Sequence, residues 1–358
     1  MWNRVRILQL LLLFFFIVHS AAAVGGKETG HSIQLTDAAG RTVVLPAYPE
    51  RVLLAGKAVV FSTNSCFLFQ NAGRIIAGTG VTDQGLGDFY PLMDPRASQK
   101  LRFANNAGPE QLLSAKPDVV ILKHYLRESL GAAVEELDIP VLYFNSESPE
   151  TFYDDIEMFG GLFDEMQRAE DIIDYYKTKY ALVLNRTKNA DKPRVLTVSY
   201  SNRDGDTAFS VPSAQWLQTR MVEDAGGTAV WKDDTSGGGW NKVNLEQAAA
   251  WKPDYIFVIS YKIPACSVVE ELADSPSLGM LGAEILPFPA DYYSWDQPDV
   301  RWILGLLWSA KVLHPELFSD IDMREELQFF YSFLYGLDNG TVESEILPRV
   351  TDCLAIVE

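Results

Sequence analysis

The residues of this chain that could do chemistry are few, and they cluster after short apolar runs. Only four histidines occur, His19, His31, His124 and His314, too scattered for an all-histidine metal site. No H-E-x-x-H, G-x-S-x-G or Walker-type glycine loop is present, and Gly237-Gly238-Gly239 is not followed by the Lys-Ser or Lys-Thr of a phosphate cradle. No C-x-x-C spacing offers thiolate ligands. A resident metal or cofactor is therefore not expected, and neither is catalysis. What remains is binding. Lys57 follows Arg51–Leu54, and Lys123, His124 and Tyr125 follow Val119–Leu122. Tyr200, Asn202 and Arg203 follow Arg194–Val198, and Tyr261 and Lys262 follow Tyr255–Ile259. Tyr292, Tyr293, Trp295 and Arg301 come after Ile285–Pro287. Lysine and arginine supply charge-assisted hydrogen bonds, and tryptophan and tyrosine supply stacking area. Two such rims face to face suit an anionic ligand with flat apolar parts. Any one lysine after a strand is as readily a solvated side chain, and His124 alone is a poor metal ligand. Trp302 and Trp308, in an apolar helical stretch, read as packing.

These residues need strands to hold them. In an open parallel sheet, ligands sit beyond the carboxyl ends of the strands. The apolar runs at 51–54, 74–77, 119–122 and 141–143 alternate with helical patterns, as do those at 194–198, 255–259 and 285–287. Ser32–Leu45 reads as a small hairpin turning at Ala39-Gly40. Between the two sets, Phe152, Ile156, Phe159, Phe163, Met166, Ile172, Tyr176 and Tyr180 recur mostly at three- and four-residue steps, the helical period. Gly160-Gly161 is the weak point of that helix. The tail from Val300 to Leu334 reads as helical, with a break at His314-Pro315. The expected fold is α/β: two Rossmann-like lobes, 24–147 and 191–358, bridged by a single long α-helix over 148–190.

Composition fits an exported globular chain. Its 358 residues are 47% hydrophobic and 22% charged, more than one core needs. Arg4 and Arg6 precede the apolar run Ile7–Val18 and the small residues Ala21-Ala22-Ala23, the pattern of a secretory signal over 1–23. The run is shorter than the roughly 20 residues of a spanning helix. No cysteine follows it, so no lipid anchor is expected, and the mature chain belongs in the periplasm or another extracytoplasmic space. Without the leader, 28 basic and 48 acidic residues leave a charge of −20, which repels nucleic acid and anionic lipid. Cys66, Cys266 and Cys353 are an odd count, so at most one pair forms, with Cys266 and Cys353 the candidate pair and reduced, buried thiols the alternative.

One segment occurs twice. Pro109-Glu110-Gln111 through Lys116-Pro117-Asp118 precedes the strand at 119, and Leu245-Glu246-Gln247 through Lys252-Pro253-Asp254 precedes the strand at 255. In each, Glu-Gln opens a short helix and Lys-Pro-Asp ends it, which implies a duplicated lobe. Glu110 and Glu246 would gain ~0.3–1 kcal/mol from a helix N-terminus. As matched acids, one per lobe, they also suit a symmetric basic partner.

Further marks are Thr36-Asp37 with Gly40-Arg41, Pro49-Glu50-Arg51-Val52, Ala225-Gly226-Gly227, Trp240 to Asp254, and Ser294-Trp295-Asp296-Gln297-Pro298 running to His314-Pro315-Glu316. Together these resemble, over about 33–336, the cobalamin and iron-siderophore (class III) substrate-binding proteins of ABC importers. The resemblance implies two lobes that close slightly on a ligand. It also implies that Glu110 and Glu246 dock on arginines of an ABC permease dimer. Trp240 looks like a cleft aromatic of the vitamin B12-binding members, whereas Lys123 stands where those members place a tryptophan after the third strand. The expectation is a monomeric binding protein for an anionic iron(III)-siderophore-like complex. Molybdate or tungstate, and cobalamin or haem, are the alternatives on the same fold. A sensory receptor or an extracytoplasmic enzyme is the alternative by class.

Overall fold

The computed structural model describes residues 32–82, 84–203, 206–235, 237–273 and 281–354. The leader expected over 1–23 lies outside them. β1 (Ile33–Thr36) and β2 (Thr42–Leu45) form the hairpin, turning through Gly40 at φ 71°. β3 (Val52–Leu54), β4 (Ile76–Gly80), β5 (Leu101–Phe103), β6 (Val119–Lys123) and β7 (Val141–Phe144) build an all-parallel sheet in the order β5-β4-β3-β6-β7. β3, β6 and the edge strand β7 are buried throughout, as expected of apolar strands covered on both faces.

A second, separate sheet holds β8 (Arg194–Arg203), β9 (Asp206–Val211), β10 (Thr228–Ala229), β11 (Asn241–Val243), β12 (Tyr255–Ile259) and β13 (Glu284–Pro287). Its order is β11-β9-β8-β12-β13, with β10 also on β8. β8, β10, β12 and β13 run parallel, while β9 and β11 are antiparallel additions. β8 is longer than the five residues read from the sequence. Beyond Val198 it continues as a hairpin with β9, pairing Ser199 with Ser210 and Arg203 with Asp206.

The duplicated segment is a duplicated structure. In the first lobe the Arg51 guanidinium donates to the Ala115 carbonyl at 2.7 Å, and the Asp118 carboxylate accepts the Arg51 N–H at 2.8 Å. In the second, Arg194 donates to the Trp251 carbonyl at 2.7 Å, and Asp254 accepts the Arg194 N–H at 2.8 Å. Lys116 and Lys252 turn the chain out of each helix in the left-handed region, at φ 50° and 46°.

The connection between the lobes is helical but broken once. Ser148 caps the helix Pro149–Phe163 by accepting the Thr151 N–H, and Asp164 ends it at φ 58°. A second helix, Met166–Thr187, follows. The single rod is corrected to two helices, and the glycine pair serves their close crossing. A Cβ on Gly160 would lie 2.5 Å from that of Ala169, and one on Gly161 would lie 2.7 Å from Leu35 of the hairpin. The second helix, at ~1.5 Å per residue, is ~33 Å long.

The lobes also touch directly. Asn64, in the helix Val59–Cys66, donates to Asp299 at 2.6 Å, and Tyr335 donates to the Asn64 carbonyl at 3.0 Å. The backbone N–H groups of Gly85 and Leu86 donate to the carbonyls of Tyr261 and Tyr292 at 2.7 and 2.8 Å. A side chain at Gly85 would run into Tyr293, 2.6 Å away. The tail forms the helices Trp302–Leu313 and Met323–Tyr335, separated after His314-Pro315. Trp302 and Trp308 are packing residues, as expected. Cys66 and Cys266 are free thiols; the side chain of Cys353 lies outside the described residues.

Candidate functional site

Between the lobes lies a cavity of about 460 Å³. Its first-lobe wall comes from the turn after β3, where Gly56 and Ala58 both have positive φ, at 78° and 60°. A Cβ at Gly56 would meet Leu126 at 2.5 Å, so the turn needs glycine. The turn aims the N-terminal end of Val59–Cys66 at the cavity, with Lys57, Ala58 and Val59 on the wall. Amide groups at a helix N-terminus favour negative charge. All eight residues of this helix are buried. Its polar side chains bond inward: Thr63 to the Val59 carbonyl at 2.8 Å and to Thr79 at 2.9 Å.

Lys57 is exposed at the rim and makes no ion pair among the described residues. Lys123 is different. Only 1% exposed, it pairs with Glu147 at 2.7 Å, donates to the Asn145 carbonyl and lies over the rings of Phe61 and Phe144. A buried cation without such partners would be costly. Glu147 thus brings a carboxylate to the cleft wall that cancels the charge of Lys123. The turn beneath them is tied by Asp155, which accepts from the Asn145 N–H at 2.9 Å and from Ser146 Oγ at 2.6 Å. Burial pushes the Asp155 carboxyl up to about 7.

The second-lobe wall is aromatic and amide-rich. Trp216 and Trp240 meet edge to face with centroids 5.6 Å apart, and Tyr261 continues the cluster 6.2 Å from Trp240. Tyr261 donates to Asp296 at 2.7 Å. Burial and this neighbouring acid hold its phenol well above the usual range, so it stays protonated. Gln218 and Gln297 complete the wall.

Of the residues expected at a binding edge, the cavity brings together Lys57, Lys123, Tyr125, Trp240 and Tyr261. His124 is half-buried just off the wall, its pKa lowered by burial and then by Lys123. Lys262 is exposed and also off the wall. Tyr200 does not reach the cavity. Because β8 runs on into its hairpin, Tyr200 packs on Phe209 and donates to Glu271 at 3.2 Å. Arg203 ends that strand, and its side chain lies outside the described residues.

Trp295 and Arg301 are corrected to core residues. Trp295 is fully buried and donates to Asp291 at 2.9 Å. Arg301, also fully buried, pairs with Asp291 at 2.7 Å and Asp299 at 3.1 Å beneath the rings of Phe89 and Tyr293. The chain after β13 folds inward to start the tail, so its cation neutralises buried acids instead of lining the cleft.

Sequence reasoning missed Glu147, Trp216, Gln218 and Gln297. Gln297 stood inside a motif already singled out, but its aromatic neighbour Trp295 drew the attention. Among the described residues no three His, Cys, Asp or Glu side chains form a metal-holding group, and no helix is long and apolar enough to cross a membrane.

Glu110 and Glu246 are both exposed, each in the first turn of its helix. Neither is needed as a cap: Gln111 accepts the Gly108 N–H at 3.0 Å, and Asn244 accepts the Gln247 N–H at 2.8 Å. Both carboxylates are left without an ion pair among the described residues.

Known proteins resemble this architecture. The molybdate-binding protein MolA of Haemophilus influenzae is 21% identical over 334 residues, which cover 86% of this chain and 93% of that protein. Its molybdate-bound crystal structure matches with a TM-score of 0.70 over 85% of this chain and 98% of that one, at 20% identity. A periplasmic solute-binding protein of Veillonella parvula gives a TM-score of 0.71 at 22% identity, over 90% of this chain and 99% of that chain. The TroA-like periplasmic binding protein FepB of the same organism gives 0.66 at 19% identity, over 86% and 97%. These likenesses concern the fold. The family model described as periplasmic binding protein matches residues 89–282, more than half of the chain, and the chain belongs to that family.

Proposed function

We propose that the cleft binds a mid-sized anionic ligand, of the size and character of an iron(III)-siderophore-like chelate, outside the membrane and passes it to an ABC permease dimer. The observation that carries this reading is the asymmetric cavity. One wall offers Lys57 and a helix N-terminus, the other an aromatic corner, around about 460 Å³. That volume falls within the ~300–1,000 Å³ of small-molecule sites. The exposed, uncommitted Glu110 and Glu246 supply the docking points, one on each lobe. Five of the residues expected at the edge, Lys57, Lys123, Tyr125, Trp240 and Tyr261, form the contact set of this reading, which gives the protein no catalytic role.

Calorimetric titration of the full chain with ferric trihydroxamate and tricatecholate complexes tests it. Trp240→Ala is expected to weaken the best ligand by about ten- to a hundredfold. Lys57→Ala is expected to weaken it less, with a reduced salt dependence. Unchanged affinity in both variants would remove the cleft from the reading. In cells, Glu110→Ala combined with Glu246→Ala should stop uptake while sparing affinity; continued uptake would remove the docking role.

A second reading is an oxyanion such as molybdate. It is favoured by the pairing of Lys57 with the N-terminus of a buried helix, and by the ligand in the name of the Haemophilus relative. Titration with molybdate in the same series decides between the two.

A further inference from the structure

The cleft wall contains two acceptors that nothing satisfies. Gln218 and Gln297 are only 6% and 2% exposed, and both line the cavity. The side-chain Oε1 of each is buried without a hydrogen-bond partner. Other side-chain atoms in the described residues share that condition, such as Trp308 Nε1 and Ser309 Oγ, but they lie away from this cavity.

The orientation of the Gln218 amide is fixed by its neighbour. Asp296, 1% exposed, accepts from Ser294 Oγ at 2.5 Å, from Tyr261 at 2.7 Å and from Gln218 Nε2 at 3.2 Å. A carboxylate draws the N–H side of the amide towards itself, so the oxygen side must find its donor elsewhere. Buried amide oxygens are nearly always bonded, and one left bare is a standing cost that a partner relieves.

We infer that the second-lobe wall selects ligands by their hydrogen-bond donors: the carbonyls of Gln218 and Gln297 receive N–H or O–H groups of the guest, and an anion without such groups is disfavoured. The inference rests on the cleft being the binding site and adds the chemical class of its ligand. The guest is two-ended. Its negative end lies towards Lys57 and the helix N-terminus, and its donor-bearing, flat end lies against Trp216 and Trp240. A deprotonated tetraoxoanion has only acceptors, and its oxygens would face the two carbonyls with no proton between them.

The test uses three probes on the full chain. One is a ferric trihydroxamate with secondary-amide N–H groups, the second its N-methylated counterpart, and the third molybdate. The wild type is expected to bind the N–H chelate at least about tenfold more tightly than the N-methylated one. In Gln218→Met and in Gln297→Met that ratio should fall towards one. A water molecule serving the same oxygens would leave affinity indifferent to ligand donors, so equal binding of the two chelates by the wild type would overturn the inference while leaving the cleft reading intact. Tighter binding of molybdate than of either chelate would overturn the inference together with the chelate reading, and would leave the oxyanion reading of the same cleft. Unliganded Gln297→Met controls for folding: its melting temperature should stay at or above that of the wild type. A fall of more than about 5 °C would mark the amide as structural and also overturn the inference.

Discussion

The two lobes agree at their outer ends and disagree at the cleft. At the outer end, Arg51 and Arg194 hold the carbonyls of Ala115 and Trp251 at the same 2.7 Å, and Lys116 and Lys252 turn with nearly the same φ. At the inner end, the first lobe offers Lys57, the Lys123–Glu147 pair and a helix N-terminus, while the second offers two tryptophans, a tyrosine and two glutamines. A turn fixed by its own backbone bonds has reason to stay the same twice over. A surface that encloses one asymmetric molecule has reason to diverge. The difference sets what the duplication kept against what each cleft wall acquired.

The largest effect tests whether Arg301 belongs to the second lobe's core and not to its recognition wall. Arg301→Met would leave Asp291 and Asp299 buried and unpaired, and removing one partner of a buried ion pair costs about 3–5 kcal/mol. Urea unfolding should show that loss, while the folded fraction binds ligand as the wild type does. A variant of normal stability and weakened affinity would return Arg301 to the cleft.

The same contrast explains what could be read from the sequence. The outer ends were legible because they are local: Glu-Gln, Lys-Pro-Asp and a following apolar strand lie within fifteen residues, and each piece has a backbone reason. The alternation of strands and helices, the hairpin at Gly40 and the break at His314-Pro315 were legible for the same cause. The cleft was half legible. A lysine directly after a parallel strand, such as Lys57 or Lys123, is placed by the strand itself. Arg301 and Trp295 were misplaced because thirteen or fewer residues after β13 can turn either outward or inward, and the choice depends on Asp291 and Asp299, acids within ten residues of Arg301. Tyr200 was misplaced because the continuation of β8 depends on a partner strand that reads as loop. Gln218 was invisible because it sits in a helix whose role in the cleft depends on Asp296, 78 residues away.

Each cleft wall rests on a buried acid, Asp155 beneath the first and Asp296 beneath the second, and burial raises the pKa of both. For Asp155 the folded value of about 7 stands against an ordinary aspartate value of about 4. The folded chain therefore holds a proton that the unfolded chain has lost between about pH 4 and pH 7. The contribution of this group to stability falls as pH rises through that window, and is flat above it. Asp155→Asn should flatten that part of the melting-temperature profile between pH 4.5 and 8. An unchanged slope would mean that the acid is ionised in the fold despite its burial.

The smallest effect tests the likeness of the outer ends. Arg51→Met and Arg194→Met each remove guanidinium bonds to a helix-terminal carbonyl and leave the Asp118 or Asp254 bond to the strand's N–H in place. Each bond is partly exposed, so a loss of about 1–2 kcal/mol is expected from either variant. Because the two clamps share no partner, the losses should be equal within about 0.5 kcal/mol and should add in the double variant. Equality matters more than size. If one clamp proved much costlier to break than the other, the twin geometry would hide a division of labour, with one lobe held firm as the platform and the other free to rock. The matched placement of Glu110 and Glu246 would then describe only one position of a moving pair.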